Sequence, residues 1–194
     1  MAMAQPFYLY FLAALLCFLL LKVSSTLHSS SSNTNNNGLK YLHLTFYQHD
    51  TLNKTSFVIV SGVAGVAAVT STTSPFGSLF VNQDLLTLTP DPSSKVVGNA
   101  EGFSVTSSFN GLNNILVQKV TLQSKDHMGS LTVIGNGQSI LPSDISIVGG
   151  TGDFMFVQGY VRSTLVYAKS YTLTYKADFH IYWPPYANQV SLHN

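Results

Sequence analysis

From Tyr171 to Tyr182 the chain alternates without a break. Tyr171, Leu173, Tyr175, Ala177, Phe179 and Ile181 share one parity; Thr172, Thr174, Lys176, Asp178, His180 and Tyr182 share the other. Period two over that length sorts side chains onto the two faces of an extended strand and cannot make one face of a helix. Leu42, Leu44 and Phe46 alternate in the same way with His43, Thr45 and Tyr47. Between them lie shorter apolar runs: Phe57–Val69, Phe76–Val81, Ile115–Leu122, Leu131–Ile134, Ile145–Val148 and Phe154–Val161. Pro75, Pro90-Asp-Pro92, Asn110-Gly111, Asn136-Gly137 and Gly149-Gly150 separate these runs, and all are turn chemistry. No segment shows a capped 3.6-residue apolar stripe. About eight strands joined by such turns predict an all-β sandwich or a closed barrel, and alternation does not separate the two.

The barrel-forming part does not begin at residue 1. Phe7 to Leu21 is almost wholly apolar and is followed by Lys22 and the small residues Val23, Ser24 and Ser25. This predicts a signal peptide over residues 1–25, hence secretion. The competing reading is an uncleaved anchor, but the run falls short of the ~20 residues a membrane span needs. Residues 26–38 are a Ser/Asn tract with almost nothing to bury, expected to be a disordered linker. One domain then runs from 39 to 186, leaving a short tail at 187–194.

Cysteine and charge narrow the chemistry. The single cysteine, Cys17, lies in the signal segment, so the mature chain has no thiol for a disulfide, a nucleophile or a metal. Charged residues are 9% of the chain and formal net charge is +1, with no basic stripe for nucleic acid. The six histidines are scattered at 28, 43, 49, 127, 180 and 193, without ligand spacing on one face. No metal and no cofactor is expected. Asn53-Lys54-Thr55 is an N-glycosylation sequon in a polar turn, with Asn53 as the acceptor.

Several motifs occur in an order that resembles the plant dirigent proteins. They are Phe46-Tyr-Gln-His-Asp50, Ser74-Pro-Phe-Gly77 with Asp84-Leu-Leu-Thr87, Val97-Gly-Asn-Ala-Glu-Gly102, Gly129-Ser-Leu-Thr132, and Asp144 to Phe154 closing at Gly159-Tyr160. The proline-rich block Pro90 to Lys95 and the turn Thr106 to Gly111 look closest to the broad dirigent-like branch. The resemblance implies an eight-stranded antiparallel β-barrel of the allene-oxide-cyclase-like type, associated as a homotrimer.

Asp50 is the candidate general acid. It shares parity with Leu42, Leu44 and Phe46, so a continuing strand points it inward, where desolvation raises a carboxyl pKa. The competing role is to cap the turn before Asn53. Asp153 follows the glycine turn and is expected first to satisfy backbone N–H groups, then to contact ligand. His49 has the opposite parity and is expected to be structural. By the resemblance, the ligand pocket includes Phe46, Thr106 (or its neighbour Ser104), Asn136, Ser143 and Tyr175. Asn136 stands where the family has a second acid, and Ser143 where it has an arginine.

The resemblance implies a secreted protein of the apoplast that binds phenoxy radicals or quinone methides and makes their coupling or trapping stereoselective in lignan-type phenylpropanoid chemistry. A separate laccase or peroxidase supplies the radicals. Two alternatives remain: a single-substrate quinone methide cyclase or dehydratase of the pterocarpan-forming type, and a non-catalytic defence or cell-wall binding protein.

Overall fold

The computed structural model describes residues 33–34, 39–65, 67–124 and 126–189. The expected signal peptide, most of the expected linker and residues 190–194 lie outside the described residues. The strands are β1 (Asn33–Thr34), β2 (Lys40–Thr51), β3 (Ser56–Val60), β4 (Leu79–Thr87), β5 (Val96–Thr106), β6 (Asn113–Gln123), β7 (Met128–Gln138), β8 (Ser143–Gly152), β9 (Gln158–Lys169) and β10 (Thr172–Trp183). β1 falls inside the expected linker and pairs with Lys40 and Tyr41 at the start of β2.

Neighbouring strands pair antiparallel from β4 through to β10, β10 pairs with β2, and β2 returns to β4. The circuit is the closed eight-stranded antiparallel barrel that the resemblance implies, and of the sandwich and barrel left open by the alternation it is the barrel. The two seams of β2 differ greatly. Against β10 it is paired from Lys40 to Thr51, whereas against β4 only Tyr47, Gln48 and His49 are paired, with Thr87, Leu86 and Leu85. Beyond that the chain loops out at Thr51–Thr55 and resumes as β3, which continues the wall against Leu79–Asn82 of β4. Asn53, at the tip of the loop-out, takes φ 62°, a left-handed conformation that asparagine tolerates better than most residues.

Alternation then decides the contents of the barrel. Leu42 and Phe46 from β2, Leu86 from β4, Leu131 and Val133 from β7, and Phe179 and Ile181 from β10 are buried in one core. At the β8–β9 end, Phe154 is fully buried and stacks on Trp183 with ring centroids 6.4 Å apart. Trp183 carries the Lys40 ammonium 4.5 Å from its ring, and Pro184 then ends the strand before a 3-10 turn over Pro185–Gln189. The glycine motif of β8 also has a steric reason. A Cβ on Gly150 would lie 2.6 Å from the carbonyl oxygens of both Phe154 and Ser130, and Gly152 takes φ +61°.

Candidate functional site

The other half of the barrel holds a cavity of about 180 Å³. Its floor is apolar, built from Val120, Val133, Ile145, Val161, Ala177 and Phe179. Its walls carry neutral hydrogen-bonding groups, among them Gln48, Asn82, Ser104, Asn114, Gln118 and Ser163. The loop segment Thr70–Ser74, Gln138, Ser139 and Tyr171 complete it at the end away from Trp183. No lysine, arginine or histidine is among the lining residues.

Asp50 lies on this cavity, placed there by the parity of β2 that also turns Gln48 inward. Burial, and secondarily the negative charge of Asp84, push its carboxyl up to about 7. Asp84 comes from β4 and is fully buried. Its Oδ2 accepts hydrogen bonds from Gln48 Nε2 and Asn82 Nδ2, both at 2.7 Å. Burial raises this carboxyl too, and the hydrogen bond from Gln48 opposes the rise. Tyr175 faces the same cavity from β10, and its hydroxyl donates to the Ser139 carbonyl oxygen at 3.4 Å. Burial, then the two carboxylates, drive the Tyr175 phenol well above its ordinary range, so it is a neutral donor at any physiological pH.

The other residues singled out in the sequence are spread through the fold. Phe46 is buried beneath the cavity, 6.1 Å from the Phe179 ring between centroids. Thr106 is sealed off, its hydroxyl 2.5 Å from that of Ser74 and donating to Asn114 Oδ1 at 3.0 Å; Ser104, two residues back on the same face, lines the cavity instead. Ser143 is buried and accepts the Gln138 N–H at 2.7 Å, bracing the β7–β8 turn. Asn136 is exposed on the outer face of β7 opposite Ile115, while Gly137, Gln138 and Ser139 reach the cavity. Asp153 is exposed in the β8–β9 turn, where its Oδ2 accepts the Met128 N–H at 2.8 Å. It does not line the cavity. His49 is buried on the outer side of β2, with Nε2 2.7 Å from the Thr87 hydroxyl and Nδ1 3.2 Å from that of Thr174.

Asp84 and Gln48 are the residues that sequence reasoning missed. Gln48 carried the same inward parity as Asp50. Asp84 was visible only as part of a motif, because Asn82, Asp84 and Leu86 mix polar and apolar side chains on one face. Chemically, the site combines a carboxyl that keeps its proton up to about 7, a neutral phenol and an apolar floor, with no cationic side chain among its lining residues. Among the described residues, no group of three His, Cys, Asp or Glu is placed to hold a metal ion.

Known proteins are similar to this chain in sequence and share its barrel. The Dirigent family, described as Dirigent-like protein, matches residues 41–182. Pterocarpan synthase 1 of Glycyrrhiza echinata is 32% identical over 79% of this chain and 85% of its own length. Dirigent protein 1 of Arabidopsis thaliana is 33% identical over 81% of this chain and 87% of its own. Two solved structures of pterocarpan synthase dirigent proteins, GePTS1 and PsPTS1, superimpose with TM-scores of 0.67 and 0.66, at 23% and 26% identity. They cover 80% and 74% of this chain, and 99% and 96% of theirs.

Proposed function

The chain belongs to the dirigent family, and from that premise we propose that it holds one phenolic molecule in the barrel and directs how a quinone methide is trapped there. The observation that carries the reading is Asp50, raised to about 7 on the wall of a cavity that no lysine, arginine or histidine lines. An ordinary carboxyl is ionised at neutral pH, whereas one titrating near 7 still offers its proton to a substrate oxygen.

The size of the cavity favours a single substrate. About 180 Å³ lies below the range of roughly 300–1,000 Å³ usual for drug-sized ligands, which suits one phenolic molecule better than two. In this form Asp50 protonates a benzylic hydroxyl, the C–O bond breaks and water leaves; the phenol proton then passes to the Asp50 carboxylate, which gives the quinone methide and restores the acid. An internal hydroxyl then bonds to the same carbon, the quinone methide oxygen takes a proton from Asp50, and the proton of the internal hydroxyl restores the Asp50 carboxyl. The net change is loss of one water. Relatives named pterocarpan synthases support an isoflavonoid alcohol as the substrate class.

A second reading is stereoselective coupling of phenoxy radicals supplied by a laccase or peroxidase, the lignan-type role. Its support is the ring of amides and hydroxyls around the cavity, which can fix the orientation of a bound phenol without an acid. One experiment addresses both. The purified protein is given an isoflavonoid alcohol bearing an internal phenol, and separately coniferyl alcohol with a laccase, and products are resolved by chiral chromatography. Faster formation of one ring-closed enantiomer supports the first reading. An enantiomeric excess in the coupling arm alone replaces it with the second. No effect in either arm favours a binding protein without chemistry.

The reading includes secretion to the apoplast, supported by the apolar segment Phe7–Leu21, and a glycan at Asn53, supported by its exposure at the tip of the β2–β3 loop-out. It also includes self-association as a homotrimer. Register aligns Phe57, Val81, Phe103, Val117 and Ile134 in one apolar row across the outside of β3 to β7, which supports a surface covered by another copy.

A further inference from the structure

Asp84 is the buried charged group for which the reading of Asp50 as an acid finds no use. The β2–β4 register pairs Gln48 with Leu86 and His49 with Leu85 and ends there, one residue short of Asp50 and Asp84, and the charge of Asp84 reaches the Asp50 carboxyl. Asp84 is held rigidly. Its Oδ2 takes both amides, and the Asn82 amide is itself fixed by Gln118 Nε2, 3.4 Å from Asn82 Oδ1. Its Oδ1 is buried, and the Thr55 hydroxyl also favours the Asp84 anion. An asparagine would accept the same two hydrogen bonds through its amide oxygen without burying a charge. What an asparagine lacks is the charge. The other titratable groups on the cavity are Tyr171, beside the β9–β10 turn, and Tyr175 on β10; β5 to β9 and the Thr70–Ser74 segment contribute none.

We propose that Asp84 is a positioning residue, a fixed negative charge near Asp50 that keeps the proton on Asp50 until a substrate takes it. The proposal rests on the reading of Asp50 as the acid of the site. The two carboxyls then titrate as a pair, with Asp84 ionised first because its amide donors favour the anion, and Asp50 last.

Carbon-13 NMR of the full-length protein labelled at aspartate carboxyls tests this, with Asp50→Asn used to assign the Asp50 signal. In Asp84→Asn the Asp50 midpoint falls by about one pH unit or more, a tenfold change in its acid constant. It stays above the ordinary value because burial is the larger cause of its rise. Gln48→Leu keeps the Asp84 carboxyl but removes one donor, so the shared proton moves toward Asp84 and the Asp50 signal becomes more ionised at pH 7. An Asp50 midpoint unchanged in either folded variant overturns the proposal. The titration needs no substrate, so its outcome is separate from whether any phenolic is turned over. In an active protein, Asp84→Asn also moves the loss of kcat at rising pH to a lower pH, whereas a purely structural role lowers activity equally at all pH values.

Discussion

His49 Nε2 lies 2.7 Å from the Thr87 hydroxyl, so the short ladder that closes the barrel is tied by a side chain as well as by backbone. Thr87 passes the bond on by donating to the Thr89 carbonyl at 2.8 Å, and Thr174 meets the other ring nitrogen at 3.2 Å. Burial lowers the His49 pKa, so the folded state holds a neutral ring. His49→Ala leaves Thr87 and Thr174 short of partners and is expected to cost about 1–3 kcal/mol of stability in urea unfolding. Because the folded pKa is depressed, the contribution of His49 is complete above its unfolded value and is lost as pH falls toward the folded one.

Asp50→Asn is expected to reduce turnover of a ring-closing substrate by about 10²–10⁴-fold, the usual contribution of a general acid. Binding of the unreacted phenol, followed by fluorescence quenching, is expected to change little. Turnover that survives this substitution removes Asp50 as the acid.

The same residue sets a pH dependence of opposite sign to that of His49. Its folded pKa is raised to about 7, so the stabilisation of its protonated form is complete below the unfolded value and is lost as pH rises through about 7. Asp50→Asn therefore melts higher than the parent at pH 8, and the difference shrinks at pH 5. Activity follows the same proton and declines across pH 7 to 8.

Phe103 lies at the centre of the outer apolar row, between Val81 and Val117. Phe103→Glu is expected to shift the protein to a monomer in sedimentation velocity while leaving its far-UV circular dichroism intact. A parent that already sediments as a monomer counts against the association.

Gly150→Ala forces a methyl to within 2.6 Å of two backbone oxygens. Overpacking of that kind typically costs about 1–3 kcal/mol. Thermal unfolding is expected to register the loss without any change in pH dependence, since the β8–β9 turn is at the end away from the carboxyl pair.

The strand alternation made the all-β class and the inward direction of Asp50 legible in the sequence, because parity in an extended chain fixes the face, while the barrel rather than a sandwich came from the ordered motifs. The same rule places Asn136 outside, on the parity of Thr132 and Ile134; matching it by its place in a motif hid that. Thr106 did have inward parity, but its hydroxyl is taken up by Ser74 across the long β3–β4 loop, a contact that periodicity does not encode. Asp84 was hidden for a related reason. Asp50, whose carboxyl feels its charge, lies on another strand, and only the closing of the barrel brings the two strands side by side.

That closing seam has a consequence for the whole molecule. β2 holds β4 through three residue pairs and holds β10 along its full length, so the wall beside Asp50 is expected to open at lower cost than the β2–β10 wall, which hydrogen exchange would register. Each opening admits water, returns the carboxyl to a high dielectric and drops its pKa toward that of a free aspartate. On the reading proposed for Asp50, an open seam leaves only an ordinary carboxylate, so the acid and the closure of the wall beside it stand or fall together.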